Sequence, residues 1–185
     1  MKYFSLISAI LLSLTSVNVL ADKYICKHLE GHLAPLRFDP ECHIKYEKPD
    51  HFPDVTFFFE RPKIHRPSYP EANLCFSSVL TATLGDNKIP FRGTVYSGIT
   101  LNDIGADNPD FPHLLSAASV INLPLGKVFT KDVIDAPYAF PTNEVITMVD
   151  GSKKYKEGKG VIFIHGNALT SSLPVLITGN LCNKK

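Results

Sequence analysis

Cys26, His28, His32, Cys42 and His43 crowd one short stretch of the chain. Thiolate and imidazole ligands together make tetrahedral zinc sites. The order Cys-x-His-x-x-x-His followed by Cys-His matches neither a Cys-x-x-Cys knuckle nor a His-Glu-x-x-His helix, so no metal or other cofactor is expected. A histidine-only set of His28, His32 and His43 is left as a metal candidate, beside calcium at the carboxylate-rich loop 102–110. Proton-transfer chemistry has three candidates. Asp132 and Glu144 stand in or beside apolar, β-rich segments, where a carboxyl group turned inward loses water and its pKa rises toward the range of a general acid or base. His165 closes the apolar run 161–164.

The surroundings of His165, Gly160-Val161-Ile162-Phe163-Ile164-His165-Gly166-Asn167, are similar to the strand and His-Gly oxyanion loop of α/β-hydrolases. Position argues against that chemistry. In such enzymes a Gly-x-Ser-x-Gly elbow, an acid and a second histidine follow, whereas this chain contains no such elbow and ends at Lys185. No complete catalytic set is legible, and the bland reading of His165 is a histidine bonded to a neighbour.

The cysteines read better as disulfides than as ligands. Lys2 precedes the apolar run 6–14, and Val19-Leu20-Ala21 has the small-x-small form of a signal-peptidase site. Residues 1–21 are therefore expected to be a signal peptide, and the mature protein to be secreted or periplasmic. Its oxidising setting favours pairing of Cys26, Cys42, Cys75 and Cys182. Four cysteines allow three connectivities. Cys26 with Cys42 and Cys75 with Cys182 is preferred, because the second pair would tie an early strand to the last.

Removing 21 of the 185 residues leaves 164, enough for one domain with a proper core. No later segment approaches the roughly 20 apolar residues of a membrane-spanning helix. Lys2 is the only charged residue of the leader, so 18 basic and 18 acidic side chains remain from totals of 19 and 18. A balanced, unblocked charge pattern lacks the electrostatic footprint of a nucleic-acid binder.

Two textures divide the mature chain. Residues 22–70 hold seven of the fourteen prolines, at 35, 40, 49, 53, 62, 67 and 70. Proline excludes helix interiors and central strands, so this part reads as an irregular arm with one edge strand at 55–59, Val-Thr-Phe-Phe-Phe. From residue 71 to 185 strands alternate with turns: 74–84, 91–100, 117–123, 128–135, 144–149, 161–168 and 175–181. The continuous run 161–164 predicts a strand covered on both faces. The whole is expected to be all-β, a single antiparallel meander of about eight strands closed into a barrel, with 55–59 as the eighth.

One stretch carries a family resemblance. Asp150-Gly151-Ser152-Lys153-Lys154-Tyr155-Lys156-Glu157-Gly158-Lys159-Gly160 resembles the Gly-Gly-Thr-Gly-x-Phe-x-Gly-Ala-x-Gly hairpin of dirigent-like and allene-oxide-cyclase-like barrels. It departs from that pattern at Asp150, Lys153, Glu157 and Gly158, and no catalytic position of those proteins carries over. The resemblance implies a small secreted barrel. The function expected is non-enzymatic, binding of a small apolar ligand or a protein partner; the alternative is an isomerase or cyclase that uses a barrel cavity and one acid/base carboxylate or histidine.

Overall fold

A computed structural model describes residues 23–47, 74–104, 114–135, 143–168 and 171–185. The expected signal peptide, residues 1–21, and the segment 55–59 lie outside them. The strands are β1 (Tyr24–Leu33), β2 (Arg37–Phe38), β3 (Leu74–Leu84), β4 (Asn87–Ile104), β5 (Leu114–Leu123), β6 (Gly126–Asp135), β7 (Asn143–Gly151), β8 (Lys159–His165) and β9 (Val175–Lys184). From β3 to β9 each strand pairs antiparallel with the next. β1 pairs with β9 along its whole length and with β3 over Leu29–Leu33, which closes an eight-stranded antiparallel barrel, and the two-residue β2 continues along β3 as one extra strand.

The fold class is as expected, and the strand that closes the barrel is β1, from the proline-rich part of the chain; the segment 55–59, expected in that role, lies outside the described residues. Closure there depends on Gly31: a Cβ at this position would stand 2.2 Å from the Thr81 carbonyl oxygen and 2.5 Å from Ala82 Cα. Only glycine lets the two backbones approach so closely.

Strand parity fills the interior. β1 turns in Leu29 and Leu33, β4 Val95 and Ile99, β5 Ile121 and Leu123, β8 Ile162 and Ile164, and β9 Ile177 and Leu181, all buried. One end is plugged by Tyr155, from the 3-10 turn Lys153–Tyr155, whose ring is buried in the same cluster. A second, outer cluster explains the apolar character of both faces of β5. Ile44, in the 3-10 turn His43–Tyr46, packs with the outward Ala118, Val120 and Phe129. β8, by contrast, is covered on its inner face alone, since Val161 and Phe163 are 41% and 42% exposed. The expectation of a strand buried on both sides is thus corrected.

The disulfides are Cys26–Cys182 and Cys42–Cys75, and the preferred connectivity is corrected accordingly. Cys26 and Cys182 are direct register partners across β1 and β9, so strand pairing itself brings the sulfurs together. Cys42–Cys75 straps the 43–46 turn to β3. No helix among the described residues is long and apolar enough to cross a membrane.

Candidate functional site: buried carboxyl groups and an outer cationic groove

Four consecutive strands place polar groups inside the barrel. Ser97 on β4 faces Ser119 on β5, which faces Thr130 on β6, as direct cross-strand partners. All three are buried, and Asp132 two residues along β6 is fully so. The Ser97 and Ser119 hydroxyls are 2.6 Å apart, Ser119 donates to Asp132 Oδ2, and Thr130 Oγ1 donates to the Ser119 carbonyl at 3.2 Å. Because the Ser119 proton is given to the carboxyl, Ser97 is the donor in its bond to Ser119.

On β7, Glu144 is the register partner of Ile134 and Ile146 that of Asp132, so Glu144 sits diagonal to Asp132 on the same inner face. Burial pushes the Asp132 carboxyl up to about 7, against the opposing pull of the Ser119 hydrogen bond and of the nearby Thr130 hydroxyl. Glu144 is raised well above its ordinary value, first by loss of water and then by the charge of Asp132. Among the described residues Asp132 Oδ1 has no hydrogen-bond partner. The gap between Glu144, Ser97, Ser119 and the apolar walls Ile99, Ile146 and Ile164 encloses about 10 Å³. That is room for one water at most.

His165 does not join this set. It points out of the barrel, exposed, with Nε2 3.2 Å from Thr178 Oγ1 and its ring stacked on Phe163. The histidines of the metal candidate are separated too. His28 and His32 are exposed on the outer face of β1, whereas His43 is held by Asp39, and no cluster of three metal-ligating side chains occurs among the described residues. His43 gives its backbone N–H to Asp39 Oδ2 at 2.8 Å and bonds Asp39 Oδ1 through Nδ1 at 2.8 Å. Burial pushes the Asp39 carboxyl up, but these bonds and the nearby imidazole outweigh it and hold the group below its usual range.

Sequence reasoning missed a second feature, on the outside. An open groove of about 630 Å³ runs over β3 and β4, floored by Val79, Thr81, Thr94 and Tyr96 and bounded by Arg37 and Arg92. His43 stacks on Tyr96 at 5.2 Å between ring centroids. The groove was not legible because Arg37 and Arg92 are 55 positions apart in sequence and meet only through β3, where Arg37 pairs with Ser77 and Thr81 with Arg92. Compared with family models, curated proteins and solved structures, the chain matches none.

Proposed function

We propose that this chain is an exported, disulfide-stapled β-barrel that works by binding a partner protein on its outer surface. One observation carries the reading: among the described residues, the gap beside Ser97, Ser119 and Glu144 inside the barrel encloses about 10 Å³, while the outer wall carries an open groove of about 630 Å³. Ligand pockets for small molecules run to hundreds of Å³. The two disulfides fit an oxidising compartment and support export, as does the leader-like start of the sequence.

Kinship to dirigent-like and allene-oxide-cyclase-like barrels belongs to the same proposal. Lys153 and Glu157 stand where that pattern has glycine, and both hold left-handed backbone, φ 53° and 55°. Tyr155, at the aromatic position, is the buried plug. A second reading, an isomerase or cyclase, draws on Asp132 and Glu144, whose shared inner face and raised pKa values suit proton transfer.

Native mass spectrometry of protein purified from exporting cells tests the proposal. The expected species starts at Asp22, has both disulfides and carries no small molecule. A retained compound of a few hundred daltons, lost when Ala117→Leu blocks the lumen, would overturn binding on the outside.

A further inference from the structure

Arg37 and Arg92 are both exposed, and neither is paired with a carboxylate among the described residues. Among the described residues no acidic side chain lines the groove between them, which otherwise offers Ser77, Thr81 and Thr94 hydroxyls beside Val79 and Pro35. Two uncompensated guanidinium groups in a concave surface attract anions, and each can hold a carboxylate through a two-pronged bond.

Spacing narrows the ligand. The partners of Arg37 and Arg92 on β3, Ser77 and Thr81, are four residues apart, about 13 Å at the rise of a strand. The two arginines also flank β3 on opposite sides, from β2 and β4, so one small anion does not satisfy both. An extended peptide laid obliquely across β3 does: its side chains at i and i+4 share a face about 13 Å apart, and the long guanidinium side chains take up the two strand spacings that separate the arginines sideways. A sugar chain fits less well: aromatic stacking is what usually seats it, and His43 already covers one face of Tyr96, the one tyrosine or phenylalanine ring in the groove floor among the described residues.

We propose that the groove over β3 and β4 binds an extended acidic segment of a partner protein, with Arg37 and Arg92 each taking one of two carboxylates spaced four residues apart. This rests on the reading that the barrel acts by binding a protein. Val79 and Pro35 take the intervening apolar atoms, while the Thr81 and Thr94 hydroxyls face the peptide backbone.

The test is fluorescence anisotropy on the intact mature protein with a labelled ten-residue peptide carrying glutamates at positions 3 and 7 in a Ser/Val background. Controls are its Gln/Gln analogue, an isomer with glutamates at 3 and 4, and heparin as a competitor. We expect the 3,7 peptide to bind best and the Gln analogue at least tenfold more weakly. Arg37→Ala and Arg92→Ala should each cost about tenfold, the scale of one charge-assisted contact. Far-ultraviolet circular dichroism of the variants checks that they fold, and Arg37→Lys should recover part of the loss. Equal binding of the Gln analogue, indifference to both arginines, no binding of the 3,7 peptide, or preference for heparin would each overturn the groove assignment. The wider reading fails separately, if exported protein carries a small molecule and no protein partner. It survives if a natural partner is bound with unchanged affinity by the Arg37→Ala, Arg92→Ala double variant.

Discussion

Asp132 and Glu144 lie diagonally across the β6–β7 ladder on the inner face of the barrel, where burial holds both away from full ionisation and the charge of Asp132 raises Glu144 further. Two carboxyl groups in so dry a place cost stability whenever they charge, because the unfolded chain ionises them in water at no such penalty.

This sets a pH dependence with a definite sign. In the folded state Asp132 is raised to about 7 from an ordinary value of 3.8. Its protonated form is the favoured one in the fold, so its contribution is full below about pH 4 and is lost as pH rises toward 7, and Glu144, also raised, adds a fall of the same sign. Asp39 works the other way, since its folded value is lowered and its contribution fades only in stronger acid. Asp132→Asn should flatten the fall between pH 4 and 7 and stabilise the protein at pH 8 by roughly 2 to 4 kcal/mol. Urea denaturation across that pH range measures it, and an unchanged slope would mean that Asp132 is ionised in the fold.

The disulfides should differ in weight. Cys26–Cys182 joins residues 156 apart and Cys42–Cys75 residues 33 apart. Loop-closure entropy gives about 5 and about 4 kcal/mol respectively. Cys26→Ser and Cys182→Ser should therefore lower the melting temperature equally, and more than Cys42→Ser or Cys75→Ser. Unequal effects of the first two would point to another pairing.

Gly31 is the point where the barrel closes. Gly31→Ala puts a methyl group against the Thr81 carbonyl and the Ala82 backbone, neither of which can rotate away. A loss of roughly 3 kcal/mol or more is expected in thermal or urea unfolding. A loss below 1 kcal/mol would show that β1 and β3 are farther apart.

Lys153 offers the opposite kind of change. Its side chain is exposed and its backbone is left-handed, φ 53°. Lys153→Gly should raise stability by about 0.5 to 1 kcal/mol, since glycine adopts that region without steric cost. Destabilisation would mean that the turn takes another shape.

Most of the barrel was legible because its strands announce themselves. Residues 74–84 are β-rich throughout, and Gly85, at φ 66°, makes the turn into β4 that its type predicts. β1 was not legible. Its outward positions carry His28, Glu30 and His32, a lysine stands at 27 on the parity of the inner face, and Leu29 and Leu33 are its only fully buried apolar side chains. Such a segment is a strand by virtue of its neighbours β9 and β3, and the missed strand is why the cysteine pairing was misread. Asp132 and Glu144 were visible as candidates because they interrupt apolar alternation, but their facing inward needed the register of β6 and β7. Ser97 and Ser119 share parity with Val95, Ile99, Ala117 and Ile121, a signal that a parity count along β4 and β5 would have found.

The most direct test of a barrel that binds on its outside is a crystal structure of the protein taken from exporting cells without refolding. The account predicts a lumen packed from Tyr155 to Glu144, with density for no more than one water beside Ser119 and Ile146. Elongated density of a bound compound between Ile99, Glu144 and Ile164 would contradict it.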